Sequence, residues 1–341
     1  MILHAPGFVA VPDDDPNGHA GVAWHFGNPL GEQRAAMSGC GIVDRSYRRV
    51  LRLTGADRVE YLNTLFSQQI ADSPTEALNL DPQGRVLHHM SITPLADEVL
   101  IDVEPGQYDS LRTYLERMIF RYDVTVSETD LTVISLIGNP VAIDTPGVHK
   151  HPAQWPGNGR VDLIGAPDDL TAACRDAQAA GAVPTGLMAW EAERVTALRP
   201  EINPDLDEKT IPHEVPNWIG ADQAVHLDKG CYRGQETVSR VHNLGRPPRT
   251  LVLLQLDGSA TRPDPSDPIT AGRRTVGRVG TVVDHCDFGP IALGLVKRTA
   301  QTSDDLAAGD CAIKVDPETI DRDDSVRPGR AAVNKLRGKT T

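Results

Sequence analysis

No run of this 341-residue chain approaches the length of about eighteen apolar residues that a membrane-spanning helix needs. The start, Met1-Ile-Leu-His-Ala-Pro-Gly7, has neither the basic first region nor the apolar stretch of a secretory signal. Aromatics are scarce, at 4% of residues, so aliphatic side chains must supply most of the core. Basic charge is short as well. The net charge of −13 excludes a general nucleic-acid or anionic-membrane surface, because phosphate binding needs a positive field. The five cysteines (Cys40, Cys174, Cys231, Cys286, Cys311) are odd in number and form no C-x-x-C pair, which argues against a zinc knuckle or a thioredoxin-like site. There is no Walker A motif, G-x-S-x-G elbow or H-E-x-x-H. Gly39-Cys-Gly-Ile-Val-Asp44 does not complete a nucleotide fingerprint. A cytoplasmic protein with free thiols, no membrane contact and no nucleic-acid partner is the expectation.

What is present reads as an α+β chain of two or three domains. Residues 1–35 have little periodicity and read as an irregular arm, packing where Phe8, Val9, Val11, Trp24 and Phe26 find a groove. A first α+β lobe is expected over 36–138. In it a strand around Val50–Leu53 leads through Thr54-Gly-Ala-Asp57, which matches a capping box, into a helix bearing Val59, Leu62 and Leu65. Strands follow at Arg85–Thr93 and Val99–Val103, then a helix opened by Pro105 with Tyr108, Leu111, Leu115 and Met118 on one face, then strands at Val124–Val126 and Leu131–Ile137. The set reads as a split βαβ unit. Residues 139–245 are expected to form a second α+β lobe, beginning with a Pro-rich connection over 139–160 and including a helix capped by Asp168 or Asp169 and another from Gly186 to about Leu198. The short strands of 246–316 predict a small β-barrel, and 317–341 reads as a disordered tail, basic from Ser325 onward.

The segment richest in chemistry is Asp228-Lys-Gly-Cys-Tyr-Arg-Gly-Gln-Glu236. Cys231 lies between the cations Lys229 and Arg233, and cations favour the thiolate, which is both the nucleophile and the soft metal ligand. Gly230 and Gly234 permit backbone angles and close approaches closed to other residues. Gln235 and Glu236 offer polar contacts. Plain burial of a small apolar thiol competes with this reading, and physical chemistry alone leaves the two even. His88 and His89 fall on opposite faces of a strand and cannot share a metal. His149 and His151 read as a surface loop, and His285-Cys286 as a turn.

Lys229-Gly-Cys-Tyr-Arg-Gly-Gln-Glu236 is similar to the K-G-C-[YF]-x-G-Q-E signature of the YgfZ family, which is related to the T-protein (aminomethyltransferase) of the glycine cleavage system. Thr210-Ile-Pro-His-Glu214 and the Thr-Gly-Ala-Asp junction agree with it, and the resemblance covers about residues 36–300. It implies a T-protein-like three-domain cloverleaf: two α+β lobes and a C-terminal β-barrel around a central opening that accommodates tetrahydrofolate. It also implies a role in assembling or repairing iron–sulfur clusters in client enzymes, with Cys231 essential. On this reading Cys231, Lys229 and Arg233 carry the chemistry. Gln235, Glu236, Arg240, Tyr232, Glu191 and Glu193 are candidates for folate, with Glu191 or Glu193 near the pterin and Arg240 near a carboxylate. Cys231 is the candidate ligand of a transient cluster shared with an iron–sulfur carrier or client protein.

Two departures from the resemblance matter. Leu87 and His88 stand where the T-protein has an acidic pair, and Thr196 stands where relatives place a glutamate in an R-x-E-A-G-like helix. A maturation factor with little or no turnover is therefore favoured over a folate-dependent one-carbon transferase or demethylase. A thiol-redox protein is a third reading, weakened by the lack of a resolving cysteine nearby.

Overall fold

The computed structural model describes residues 2–153, 155, 159–258 and 261–321. Its strands form two five-stranded sheets, a closed six-stranded barrel and a small two-stranded ribbon. The fold is mixed α+β, as expected. The barrel takes in Arg249–Leu256, Arg274–His285 and Gly289–Lys297, together with three short strands too small to read from sequence: Pro268–Ala271, Leu306–Ala308 and Cys311–Val315.

The first sheet has the order Thr75–Leu80, Val86–Pro94, Glu98–Val103, Arg49–Thr54 and Thr125–Glu128, all from one continuous stretch. Its core packs Leu51, Leu53, Val99 and Ile101 against Tyr108, Leu111 and Leu115 of the helix Pro105–Met118, the apolar face that the sequence marks. Asp57 is the N-cap position of the helix Arg58–Leu65 but makes no cap hydrogen bond. Its carboxylate instead accepts from the backbone of Asp123, tying the helix start to the turn before the edge strand.

The second sheet corrects the expected division of the chain. Its order is His149–Ala153, Gly159–Gly165, Thr132–Gly138, Cys40–Asp44 and Val183–Thr185. Cys40–Asp44 and Thr132–Gly138, both assigned to the first lobe, are neighbours here, so the first sheet is nested between two adjacent strands of the second. Both strands are buried along their whole length, and burial on both faces erases the alternation that would have told one sheet from the other. The Pro-rich stretch is likewise no plain connection, since His149–Ala153 is an edge strand. His151 lies fully buried in it, which corrects the surface-loop reading. The helix Pro167–Ala179 has Ala166 at its N-cap, with Asp168 and Asp169 in its first turn, where they favour the helix dipole.

The arm is better ordered than its composition implies. It holds the ribbon Val9–Ala10 with Ala23–His25 and the helix Pro29–Ser38. Polar side chains build it: Asn28 caps the helix, while the Glu32 carboxylate accepts from the backbone of Phe26, Asn28 and Gly186. Bonds of this kind leave no hydrophobic period. At the other end, Ile320 packs on the barrel and Asp321 pairs with Arg298 at 3.0 Å, so residues 317–321 belong to the fold and not to a tail. The expected tail beyond 321 lies outside the described residues.

Candidate functional site

Cys231 sits on the loop before the helix Gln235–Leu244. Gly234, the N-cap, has φ = 82°, and a Cβ there would meet the Asp81 carbonyl oxygen at 2.7 Å. Only glycine satisfies both the left-handed backbone and the close approach to the Asp81–Arg85 turn. Behind the loop, Tyr232 and Val238 are buried in a core shared with Leu78, Leu80 and Val86 of the first sheet and with Leu251, Leu253 and Leu293 of the barrel. The loop therefore stands where two domains meet.

Lys229 does not face the thiol. Its buried ammonium donates to the carbonyls of Asn63, Phe66 and Gln68 at 2.8, 2.6 and 2.9 Å, closing the C-terminal end of the helix Arg58–Leu65. Burial pushes that ammonium down to about 8, while the three carbonyls support its charged form. The expectation that both cations flank the cysteine is corrected for Lys229, which positions the loop. Arg233 lies 5.7 Å from the centre of the Tyr114 ring. Gln235 ties the loop to itself by donating to the Lys229 carbonyl at 3.2 Å. Tyr232 is a core anchor whose hydroxyl has no hydrogen-bond partner, and burial raises it to about 12.

Cys231 is the one exposed cysteine of the five. Cys40, Cys174 and Cys311 are buried and Cys286 is half-buried. Burial raises all four thiols, Cys174 to about 12.

The folate candidates fall in two places. Gln235, Glu236 and Arg240 line one shallow groove on the outer face of the helix Gln235–Leu244. Glu191 and Glu193 are buried on the helix Leu187–Thr196, where Glu191 pairs with Arg194. The Thr196 hydroxyl turns back onto its own helix, donating to the carbonyls of Ala192 and Glu193. Leu198, two residues on, has φ = 52°, a backbone that suits the glycine of the R-x-E-A-G pattern.

Where the domains converge, sequence reasoning missed an ion-pair network, because its members are far apart in the chain. Arg48 pairs with Asp102 and Glu104, and Arg45 with Glu104 and Asp162. Arg160 pairs with Asp162 and Glu76, and Arg199 with Glu76. Arg194 pairs with Glu191, Glu201 and Asp205. His19, from the arm, faces Asp15, Glu104 and Glu201. The central cavity, lined by the five arginines together with Glu76, Glu104 and Glu201, measures about 40 Å³, room for a few water molecules. This centre does not fit a pterin. A roomier polar cavity of about 470 Å³ adjoins it at Glu76 and Arg199. No carboxylate stands at Leu87 or His88: Leu87 is exposed, and His88 is buried between Asn79 and Ser110.

Comparison with known proteins gives first the class. A crystal structure of the glycine cleavage system aminomethyltransferase T from Bartonella henselae superposes with a TM-score of 0.69 at 14% identity, covering 87% of this chain and 91% of that one. The fold is thus that of the three-domain aminomethyltransferases. Residues 249–321 match the family model described as CAF17, C-terminal beta-barrel domain. A putative chloroplastic transferase of Arabidopsis thaliana is 24% identical over 319 residues, 82% of this chain and 70% of that protein. The tRNA-modifying protein YgfZ of Yersinia enterocolitica is 24% identical over 237 residues, 62% of this chain and 69% of its own. The chain is thus similar to YgfZ-type proteins over most of its length, to CAF17 in its barrel, and to the aminomethyltransferases in fold. Among the described residues no helix is long and apolar enough to cross a membrane.

Proposed function

We propose that this protein serves the assembly or repair of iron–sulfur clusters in client enzymes, and that Cys231 is the residue that meets the cluster or its carrier. The observation carrying this reading is the contrast among the thiols: four are enclosed or half-enclosed, while Cys231 alone is exposed, on a loop fixed from beneath by Lys229, Tyr232 and Gly234. A soft, accessible ligand on a rigid support suits transfer. One thiolate cannot hold a cluster that takes four ligands, so the carrier or client protein supplies the others. Tetrahydrofolate, where bound, has a regulatory or structural part in this reading. The filled centre and the missing carboxylate at Leu87-His88 both weigh against a one-carbon transferase, which needs a proton-handling group beside its reacting carbon. The net charge of −13 weighs against direct chemistry on RNA, so the tRNA link in the Yersinia relative's name fits a client enzyme better than this chain itself.

The test is a deletion strain assayed for several cluster-dependent enzymes and rescued with wild type, Cys231→Ser or Cys174→Ser. Serine keeps nearly the same volume and an exposed polar group, so Cys231→Ser is expected to be soluble and of wild-type stability, yet unable to restore cluster occupancy. Cys174→Ser is expected to restore it. Full rescue by Cys231→Ser would make the reading wrong.

A further inference from the structure

We propose that His19, Glu104 and Glu201 form a three-ligand site for a divalent first-row transition ion at the junction of the arm with the domains. The three come from remote parts of the chain: His19 from the loop after the Asp15 turn, Glu104 from the N-cap of the helix Pro105–Met118, and Glu201 from the N-cap of the short helix Ile202–Asp205. Their ligand atoms all lie within 4.8 Å of one another. His19 Nε2 is 3.5 Å from Glu104 Oε2 and 3.8 Å from Glu201 Oε2. A tetrahedral ion with bonds of about 2.1 Å sets its ligands roughly 3.4 Å apart, close to the two His19–carboxylate separations.

The second observation is the state of these groups. His19 is 4% exposed, and its Nε2 and Glu104 Oε2, neither in an aligned hydrogen bond, face each other as an ion pair at 3.5 Å. A buried pair held without an aligned hydrogen bond calls for an explanation. Each ligand is also supported from behind, as metal ligands generally are. Asp15 Oδ2 lies 3.7 Å from His19 Nδ1, the place of the outer carboxylate in a carboxylate–histidine–metal arrangement. Arg45 and Arg48 hold Glu104 by Oε1, leaving Oε2 turned to His19. Arg194 stands at 3.8 Å from Glu201 Oε1. The Tyr47 ring packs 4.2 Å from the imidazole.

Charge favours the same conclusion. The network described above contains eight carboxyl groups (Asp15, Glu76, Asp102, Glu104, Asp162, Glu191, Glu201, Asp205) against five guanidinium groups (Arg45, Arg48, Arg160, Arg194, Arg199); burial pushes Glu201 up to about 8, so seven carboxylates face five cations, an excess of two before any histidine is counted. A divalent ion neutralises what the arginines leave over. One imidazole and two carboxylates suit zinc, manganese or ferrous iron, whereas magnesium prefers oxygen alone. Access exists, since His19 also lines a cavity of about 360 Å³ between the arm and the barrel. Three protein ligands leave a coordination position open toward it for water or a small anion. The His285–Cys286–Asp287 cluster is a rival, but His285 Nδ1 already accepts from the backbone of Asp287 and Phe288.

Tag-free full-length protein, stripped with chelator, is titrated with zinc against a competing indicator and with cobalt by visible absorption. One equivalent is expected to bind at micromolar free zinc or below, with the d–d bands of a four- or five-coordinate cobalt ion and no uptake of magnesium. His19→Gln is expected to weaken binding at least 100-fold, Asp15→Asn by about 10- to 100-fold, and Cys286→Ser not at all. Circular dichroism checks that each variant is folded, and if His19→Gln is not, Asp15→Asn carries the test. Absence of a bound equivalent, unchanged affinity in the folded variants of His19 or Asp15, or loss of binding in Cys286→Ser would overturn the assignment, leaving His19 as an ion-paired imidazolium only.

Discussion

His88 is a buried histidine whose surroundings keep it neutral. It is buried, with Asn79 Nδ2 at 3.0 Å from Nδ1 and the Ser110 hydroxyl at 2.9 Å from Nε2. The Asn79 amide donates to Nδ1, so the ring's own proton sits on Nε2 and is given to Ser110. Burial pulls this imidazole from its ordinary 6.5 to about 4. Between those values the unfolded chain binds a proton that the folded one refuses, so stability is complete above pH 6.5 and falls as pH drops toward 4. The contribution at stake is about 3 kcal/mol. His88→Gln is expected to flatten this part of a denaturation-midpoint profile against pH, compared with wild type between pH 7 and pH 4. Lys229 gives a second outcome at this scale. Lys229→Met strands three inward carbonyls and is expected to cost about 3 kcal/mol in urea unfolding, with faster proteolysis of the Cys231 loop. The signature segment was legible as a motif, but the direction in which Lys229 points was not. A lysine beside a cysteine in sequence can turn either way, and only the helix end at Asn63–Gln68 decides it.

At the scale of elements, the sequence was most readable where one face is buried and the other wet. The helix Pro105–Met118 was found from Pro105, Tyr108, Leu111 and Leu115, and the barrel from its alternating strands and turn residues. Legibility failed where burial is two-sided, as in Thr132–Gly138, or where polar side chains do the joining, as Glu32 does for the helix Pro29–Ser38. Helix ends carry their own penalty. Past the C-terminus of the helix Pro105–Met118, Phe120 takes φ = 44° and is 82% exposed. A left-handed residue at that place is ordinarily glycine. Phe120→Gly gives up almost no burial and is expected to raise stability by about 1 kcal/mol, read as a higher thermal midpoint with unchanged circular dichroism.

Over the whole molecule, the core beneath Cys231 belongs to no single domain. Tyr232, Val238, Leu78, Leu80, Leu253 and Leu293 share it, so the barrel, the first sheet and the loop support one another. Leu293→Ala opens a void in that core and is expected to cost about 3 kcal/mol. Probes on the barrel and on the helix Gln235–Leu244 should lose the same midpoint in guanidinium chloride. Separate midpoints would mean that the domains unfold independently. The same sharing explains why the ion-pair centre escaped sequence reading. His19, Glu104 and Glu201 look like ordinary surface charges until three domains close on them.

The nesting of one sheet inside the other also fixes an order of events at the ribosome. Cys40 pairs with Gly138, so the first of these strands emerges long before its neighbour exists. At about 5–20 residues per second the delay is on the order of 5–20 s, ample for the inserted sheet to form alone. That sheet is expected to close first and, by bringing its two ends together, to present Thr132–Gly138 to the waiting strand; pulsed hydrogen exchange protecting Cys40–Asp44 before the inserted sheet would contradict this order. Val183–Thr185 then seals the other side of Cys40–Asp44 in parallel pairing.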